Sequence, residues 1–451
     1  CNRRDKIICI NILIIHQTCL NTSTYRSLHS PPSHNMDGVT FEGFLDSVTP
    51  RQREYIESVV VKLGHNDAKV KVEPVGKPGD NYGADVRRII VESAKGNINM
   101  VAKIAPAYEQ YRQAIDIGKI FLNESVMYTE LFPKYTELEK EAGIPESERL
   151  LYAKCYGCLL EEPNEIILLE DLKVKGFTML DKFKSLSDEA IKLILNSLAA
   201  LHSLSYVLRD REPETYNTLT EKFKTIWETF EECESHYQQM EDGLLSVITN
   251  DYKKYLVGKI TQTTKYFAQV MQENRNLKSS VIIQGDSWTN NFMFQYKGDK
   301  LASCCMIDYQ LSCVNSPASD LGYMIFNCTD HEMRMKHFHE WLDYYHAKLD
   351  KYLTYHGLKV DQLFTKEDLK NAMKSSGNLS LAQGVMVSSI VLRENEDAEK
   401  TKAQMADNEG NVMDSMVKMF NVSALSEGTI KLFRSRLEGL VDSHLALGLI
   451  E

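Results

Sequence analysis

The stretch that decides the fold is VIIQGDSWTNNFMF at residues 281–294, followed by MIDYQ at residues 306–310. The first apolar run leads to Asp286 and then to Asn291, and a second apolar run leads to Asp308. Short apolar runs bounded by turn residues indicate buried strands. The turn KGDK between the two runs predicts that they form a single β-hairpin. Such a hairpin would bring the three polar side chains together at one end.

These three side chains have the spacing typical of a phosphoryl-transfer site. Such a site needs a carboxylate that orients the acceptor hydroxyl and takes its proton, together with oxygen ligands for Mg²⁺. We expect Asp286 to fill the first role, and Asn291 and Asp308 to hold the metal. Asp and Asn also favour turns because they form local hydrogen bonds. The cluster alone therefore leaves a purely structural role open.

Length and charge limit the possible classes of protein. The chain has 451 residues, enough for two lobes with separate cores. Its formal net charge of −11 argues against a broad nucleic-acid-binding surface. We expect neither nucleic acid nor a membrane as a partner, and we expect a monomer.

The first 35 residues differ in composition from the rest of the chain. Two arginines precede a short apolar run at residues 7–15, and a Ser/Thr/Pro-rich stretch follows. The run is too short to span a membrane. A signal peptide is one interpretation. The interpretation we favour is a leader, disordered or foreign to the protein, with Met36 as the true start.

The cysteines indicate a reducing compartment. Seven of the ten lie beyond the leader, at irregular spacing, which is typical of free thiols. We therefore expect a cytoplasmic protein. Cys155 and Cys158 form a C-x-x-C pair, but a zinc or redox site would need partners and the chain has no second pair. Ordinary thiols in a strand and its turn are the favoured interpretation.

The pattern of elements predicts an α+β fold. Thr49 and Pro50 are typical of a helix start, and Gly64 of its end. The first third is rich in strand patterns and the remainder in helix patterns. The predicted strands cover residues 70–72, 86–91, 98–104, 151–155 and 165–169. The predicted helices cover residues 115–134, a segment beginning at Ser187, 213–248 and 250–275.

Three motifs resemble those of a known family. QGDSWTNNFMF at residues 284–294 is similar to a pattern in which His-Gly-Asp is followed by Trp, two Asn, Met and Phe. DYQ at residues 308–310 resembles its Asp-Phe-Gln, and SPASDL at residues 316–321 its Ser-Pro-x-x-Asp-Leu. From about Phe41 onward the chain resembles the insect ecdysteroid kinase-like family, also called CHK kinase-like. That family is related to choline kinases and aminoglycoside phosphotransferases.

The resemblance implies a bilobal, protein-kinase-like fold. Residues 36–171 would form a nucleotide-binding lobe built on a small antiparallel sheet. Residues 172–451 would form a larger helical lobe that carries the catalytic groups and binds the acceptor. The helical inserts at 213–275 and 330–395 would wall the acceptor pocket. Tyr216, Trp227, Phe230, Tyr237 and Trp341 could line this pocket or belong to the core.

The resemblance also implies roles for individual residues, with ATP and Mg²⁺ as cofactors. Lys103 would hold the α- and β-phosphates, and Glu124 would orient Lys103. Asp320 would brace the catalytic loop, and His202 would be a hydrogen-bonded core residue. The nucleotide-binding residues are completed by a covering loop and a hinge, represented by Asn81, Tyr82, Gly83, Glu170 and Leu172.

One position departs from the family pattern. Gln284 stands where the family has a histidine whose role is chiefly structural. Glutamine also donates and accepts hydrogen bonds, so we expect activity to survive.

The activity implied is transfer of the ATP γ-phosphoryl group to a hydroxyl of an ecdysteroid or a similar hydroxylated metabolite or xenobiotic, in insect metabolism or detoxification. The alternative is a catalytically weak or inactive kinase-like protein that binds a ligand. A protein kinase is disfavoured because no Asp-Phe-Gly or Ala-Pro-Glu activation segment is present.

Overall fold

The computed structural model describes residues 38–75, 84–106, 112, 116–224, 234–393, 397 and 425–451. Within these ranges, the first part of the chain builds a sheet and most of the remainder is helical. The predicted α+β fold class is confirmed. The leader and its alternatives lie outside the described residues.

Among the described residues, the larger sheet has six strands in the order β1-β2-β3-β4-β6-β5. The pairing of β1 with β2 is parallel and every other pairing is antiparallel. The prediction of a wholly antiparallel sheet is wrong at this edge, because helix α1 connects β1 to β2 and permits a parallel crossover. The strands are β1 Thr40–Gly43, β2 Lys69–Pro74, β3 Asp85–Ser93, β4 Gly96–Ile104, β5 Cys155–Leu159 and β6 Ile166–Glu170.

Helix α1, Pro50–Lys62, closes one face of this sheet. Thr49 caps it as predicted, in a capping box with Gln52. Ile56 and Val60 are fully buried in a small core shared with the sheet strands. The amphipathic pattern of the helix therefore fixes the sheet face that it covers.

The prediction of a helix at residues 115–134 is confirmed, but the helical segment is longer than predicted and a π-helical turn interrupts it. It comprises α2 Ile117–Val126, a π-helical turn at Met127–Leu131, and α3 Phe132–Glu141. The strand predicted at 151–155 is misplaced, because β5 begins at Cys155. The strand predicted at 165–169 is confirmed as β6.

The helical part is organised around α4, Asp188–Arg211, which Ser187 caps as predicted. Helix α4 contains an apolar window long enough to cross a membrane, but 78% of that window is buried inside the protein. The other helices are α5 Pro213–Lys222, α6 Glu234–Leu245, α7 Asn250–Leu256, α8 Lys259–Arg275, α9 Pro317–Cys328, α10 His331–Tyr355, α11 Lys366–Ser375, α12 Gly377–Val391 and α13 Glu427–Ala446. The long helices predicted at 213–248 and 250–275 are therefore each divided into shorter ones.

The predicted hairpin with its turn at 297–300 is confirmed from residue 292 to residue 306, but the prediction that residues 281–283 belong to it is wrong. Strand β8, Val281–Ile283, pairs with β11, Cys313–Asn315. Strand β9, Phe292–Lys297, pairs with β10, Lys300–Met306, and with β7, Phe177–Met179. The chain changes partner because a turn and a short 3₁₀ helix separate β8 from β9.

The boundary between residues 36–171 and 172–451 remains a prediction. The last strand of the larger sheet ends at Glu170. Strand β7, which follows it, already pairs with β9 of the second part.

Candidate active site

Asp286 lies in a tight turn directly after β8. Gly285 has φ +87°, and a Cβ atom there would lie 2.2 Å from the Leu311 carbonyl oxygen. Glycine is needed because side chains rarely tolerate this backbone region and no room exists for one. Asp286 is buried; Tyr323 donates to its Oδ1 at 2.8 Å and Asn291 Nδ2 to its Oδ2 at 2.9 Å. The carboxylate is therefore held from two sides.

The environment of Asp286 raises the pKa of its carboxyl group to about 7. Burial is the largest cause, and the nearby charge of Asp308 adds to it. The hydrogen bonds from Tyr323 and Asn291 oppose the shift because they favour the ionised form. A carboxylate with a pKa near neutrality suits proton transfer at physiological pH.

Asp320 stabilises the turn that carries Asp286 by accepting hydrogen bonds from it. Its two oxygens accept from the backbone amides of Gln284 and Gly285, at 2.8 and 2.9 Å, and from the Ser287 hydroxyl at 3.0 Å. His202 lies 3.2 Å from the same carboxylate and is fully buried within the core. A buried carboxylate with this many donors fixes the backbone that carries Asp286.

Gln284 is fully buried and uses both ends of its amide. Its Nε2 donates to the carbonyl oxygens of Ile307 and Asp308, at 3.0 and 2.9 Å. Its Oε1 accepts from the Asp286 amide at 2.7 Å and from the Ser287 hydroxyl at 3.0 Å. This side chain thus ties the Asp286 turn to the segment that carries Asp308. We call residues 284–291, with Asp320 and Tyr323, the base turn.

Lys103, on β4, extends across to the second half of the chain. Its ammonium group forms ion pairs with Glu124 on α2 and with Asp308, the latter at 2.7 Å. Burial opposes the charged ammonium, but the two carboxylates raise the pKa of Lys103 above its usual value. We call Lys103, Glu124 and Asp308 the ionic cluster. It joins residues that are 205 positions apart in the sequence.

Asp308 adopts a left-handed backbone conformation, with φ +61°. This region is costly for residues other than glycine and is found mainly where surrounding contacts enforce it. Here Lys103 holds the Asp308 side chain and Gln284 holds its carbonyl group. The segment is therefore fixed at both its side chain and its backbone.

The donor set fits a magnesium ion. The Asp308 side chain is 27% exposed, so its carboxylate can reach a ligand in the cleft. Asn291 uses its amide nitrogen on Asp286, which leaves its carbonyl oxygen for a cation. Hard oxygen donors of this kind are the ligands that Mg²⁺ prefers.

The segment after β6 forms a short 3₁₀ helix from Leu172 to Lys175. The Glu170 amide donates to the Lys154 carbonyl oxygen at 2.8 Å, so this N–H is not free to pair with adenine. Asp171 is buried and accepts from Arg88 of β3 at 2.6 Å. This ion pair secures the connection to the sheet. Its signal in the sequence was weak, because an isolated Arg on a strand resembles an ordinary surface residue.

The structure brings together most of the predicted site residues, namely Lys103, Glu124, Gln284, Asp286, Asn291, Asp308 and Asp320. The covering-loop residues Asn81, Tyr82 and Gly83 lie outside the described residues. Tyr323 was missed, although it lies one helical turn after Asp320 and therefore on the same face of α9. The predicted pocket aromatics Tyr216, Tyr237 and Trp341 are buried in the core, and Trp227 and Phe230 lie outside the described residues.

This combination of a strand lysine paired with a helix glutamate and an Asp–Asn–Asp set defines a kinase-type phosphotransferase site. The model of the ecdysteroid kinase-like family matches residues 78–358, more than half of the chain. The chain belongs to the ecdysteroid kinase-like family. A search of curated proteins found no match.

Solved structures similar to the chain include several small-molecule kinases. Plasmodium vivax ethanolamine kinase is 14% identical, with a TM-score of 0.39, over 87% of this chain and 93% of that chain. A GDP complex of a mutant aminoglycoside 2'-phosphotransferase-IIIa is 11% identical, with a TM-score of 0.39, over 82% and 95%. An aminoglycoside phosphotransferase from Streptomyces rimosus, in complex with ADP and streptomycin, is 12% identical, with a TM-score of 0.28, over 72% and 99%.

Proposed function

We propose that the protein is an ATP- and magnesium-dependent kinase that phosphorylates a hydroxyl group of an ecdysteroid or a similar hydroxylated metabolite or xenobiotic. The observation that carries the proposal is the ionic cluster facing a buried carboxylate whose pKa is about 7. Family membership supports a small-molecule kinase. Its place would be the cytoplasm of an insect cell, as a monomer, in hormone metabolism or detoxification.

In this mechanism each residue has a separate task. Asp286 orients the acceptor hydroxyl and takes its proton, and Tyr323 and Asn291 hold the carboxylate in position. Asn291 and Asp308 would hold Mg²⁺, which neutralises charge on the nucleotide phosphates when it is bound. Lys103 would hold the α- and β-phosphates, and Glu124 keeps its ammonium group in place. A proton acceptor positioned in this way contributes about 10²- to 10⁴-fold in rate.

An acceptor cleft adjoins the base turn. It has an empty volume of about 420 Å³, which includes open solvent. Gly285 and Tyr323 border it, so it lies beside Asp286. The remaining lining is mixed: Met271, Ile283, Leu311, Cys313 and Leu379 are apolar or weakly polar, and Asn315, Ser319, Asp320 and Gln383 are polar. A cleft that combines apolar and polar groups suits a partly apolar, hydroxylated compound.

The lining connects the cleft to the helical inserts. Met271 belongs to α8, within the insert at 213–275, and Leu379 and Gln383 belong to α12, within the insert at 330–395. This placement supports the expectation that the inserts form the acceptor pocket, although Tyr216, Tyr237 and Trp341, the aromatic candidates that the structure describes, are core residues.

The test is ATP consumption with a panel of hydroxylated acceptors, including ecdysteroids, aminoglycosides and simple amino alcohols. Mass spectrometry should detect a phosphorylated product, a gain of one HPO₃ group, for at least one polyhydroxylated apolar acceptor. Binding of MgATP with no transfer to any acceptor would support the alternative, a ligand-binding protein that keeps the kinase fold. That alternative is motivated by Gln284 in place of the family histidine.

A further inference from the structure

Cys155 and Cys158 lie side by side on strand β5. Their sulfur atoms are 3.6 Å apart, and both are free, half-buried thiols. On a regular strand, residues three positions apart point to opposite faces of the sheet. The contact between these two thiols therefore requires a local departure from the regular strand.

A β-bulge supplies this departure. Cys155 is paired with Leu169 of β6, whereas Gly157 is paired with the next residue, Leu168, so β5 contains one extra residue at this point. Tyr156 packs with the small core beside α1. Gly157 also faces α1, since a Cβ atom there would lie 2.5 Å from the Tyr55 hydroxyl oxygen.

Because of the extra residue, the side chains of both cysteines lie on the same face of the sheet. Cys155 and Cys158 both pack against the large core, opposite to Tyr156 and Leu159. On this face Cys158 contacts the side chain of Ser125, the neighbour of Glu124 on α2. The thiol pair therefore lies directly behind the helix that supplies the ionic cluster with its glutamate.

The two thiols are chemically different. The hydrogen bond from Cys158 lowers the pKa of Cys155 below its usual value, although burial opposes the shift. The pKa of Cys158 is raised, chiefly by the same contact and then by burial. Because the thiolate is the reactive form, this difference favours Cys155 as the attacking group and Cys158 as the resolving one. Among the described residues, no third Cys, His, Asp or Glu ligand atom lies within 4.8 Å of both sulfurs, which disfavours a metal site.

We propose that Cys155 and Cys158 form a peroxide-reactive dithiol that closes to a reversible disulfide within strand β5. The site is independent of the proposed kinase activity. Closing it requires the sulfurs to approach from 3.6 Å to a bond length of about 2.05 Å.

The chemistry proceeds in two balanced steps. The Cys155 thiolate attacks one oxygen of hydrogen peroxide, the O–O bond breaks, and the departing hydroxide takes a proton to become water, leaving a sulfenic acid. The Cys158 sulfur then attacks the Cys155 sulfur, the S–O bond breaks, and a second water leaves with the thiol proton. Overall, two thiols and one peroxide give one disulfide and two waters, with the thiols oxidised by two electrons.

The experiment uses the full chain exposed to increasing hydrogen peroxide, followed by alkylation, trypsin digestion and mass spectrometry. Residues 155–173, between Lys154 and Lys173, form one tryptic peptide with both thiols and no other cysteine. We expect this peptide to lose about 2 Da and to resist alkylation, and dithiothreitol should restore two alkylatable thiols. Two free thiols at peroxide levels that oxidise other cysteines, or direct conversion to sulfinic acid, would overturn the proposal.

Three variants test the assigned roles. Cys158→Ser should leave a sulfenic acid on Cys155 that dimedone traps, and Cys155→Ser should leave Cys158 reduced. Cys313→Ser removes a half-buried cysteine on another strand and should not change the disulfide yield. Loss of the Cys155–Cys158 disulfide in this control would contradict the proposal, as would equal dimedone trapping in wild type and Cys158→Ser.

Discussion

The base turn and the ionic cluster meet at one site but are built in different ways. The side chains that hold the Asp286 carboxylate come from at most 37 positions away, and they use hydrogen bonds. The ionic cluster joins Lys103 to Asp308 across 205 positions, and it uses buried charges. One region of the site is therefore organised locally, whereas the other forms only when the sheet packs against the helical part.

This difference predicts separate consequences for mutation. Changes to Asp286 and Tyr323 in the base turn should act mainly on the chemical step, because both side chains meet at the reacting carboxylate. Changes in the ionic cluster should act on stability as well, because an ion pair that loses one buried partner leaves an uncompensated charge.

The largest effect is expected from Asp286→Asn. The amide keeps the shape and can still contact Asn291 and Tyr323 but cannot take a proton, so turnover should fall by about 10²- to 10⁴-fold. MgATP affinity, measured by isothermal titration calorimetry, should stay within a few-fold of the wild type. Asp299→Asn, an exposed change in the β9–β10 turn, is the matched control and should be neutral. Wild-type turnover in Asp286→Asn would remove this residue from the mechanism.

Lys103→Met should produce a large loss of stability. The variant leaves Glu124 buried without its cation, so the free energy of unfolding should fall by about 3 kcal/mol, measured by urea denaturation. Adding Glu124→Gln should recover part of this loss.

Lys119→Met is the control for this prediction. Lys119 pairs with Asp116 at a partly exposed position of the same region, and its loss should change stability by less than about 1 kcal/mol. Equal destabilisation by the Lys103 and Lys119 variants would show that the ionic cluster does not join the two parts of the chain.

Gln284 tests how tightly the base turn depends on one side chain. Gln284→Ala removes four hydrogen bonds at a buried position and should lower the free energy of unfolding by about 3 kcal/mol. Gln284→His restores the family residue and should keep turnover within about tenfold of the wild type. An increase of more than about 100-fold in Gln284→His would instead favour the weak or inactive alternative for the natural chain.

The smallest effect concerns pH. Because Asp286 must be ionised to take a proton, and its pKa is about 7, kcat/KM for MgATP should fall as pH decreases below about 7. Tyr323→Phe removes a hydrogen bond that lowers this pKa. The fall of kcat/KM at low pH should therefore move to higher pH by up to about one unit. If kcat/KM of Tyr323→Phe falls at the same pH as that of the wild type, a group other than Asp286 controls the pH dependence.

The raised pKa of Asp286 also makes the stability of the fold depend on pH. The folded-state pKa of Asp286 is raised, so the folded state binds this proton more tightly than the unfolded state. The contribution of Asp286 to stability is therefore fully present below its unfolded pKa of about 4. That contribution decreases as pH rises through about 7.

Sequence patterns located most of the site but not its framework. Asp286, Asn291 and Asp308 follow short apolar runs, a local signal that is readable in a single chain. The strand partner of β8 was misassigned, and the second partner of β9, strand β7, was not predicted, because pairing depends on residues far along the chain. Tyr323 was missed because its role depends on where α9 packs, and tyrosines are common in cores.

The C-x-x-C motif shows the same limit. The sequence suggested ordinary thiols in a strand and its turn, because a zinc or redox site would need partners and the chain has no second pair. The bulge in β5 brings the two sulfur atoms together on one face of the sheet, and it is defined only by the register with β6.

By itself, the sequence determined the α+β class, the capped ends of α1 and α4, and the identity of the groups able to perform phosphoryl transfer, because each depends on residue type and short-range spacing. Only the tertiary structure decided which strands pair, which carboxylates share the Lys103 ammonium group, and why the pKa of Asp286 lies near neutrality. Burial and charge proximity are properties of the packed chain, and no local pattern of residues specifies them.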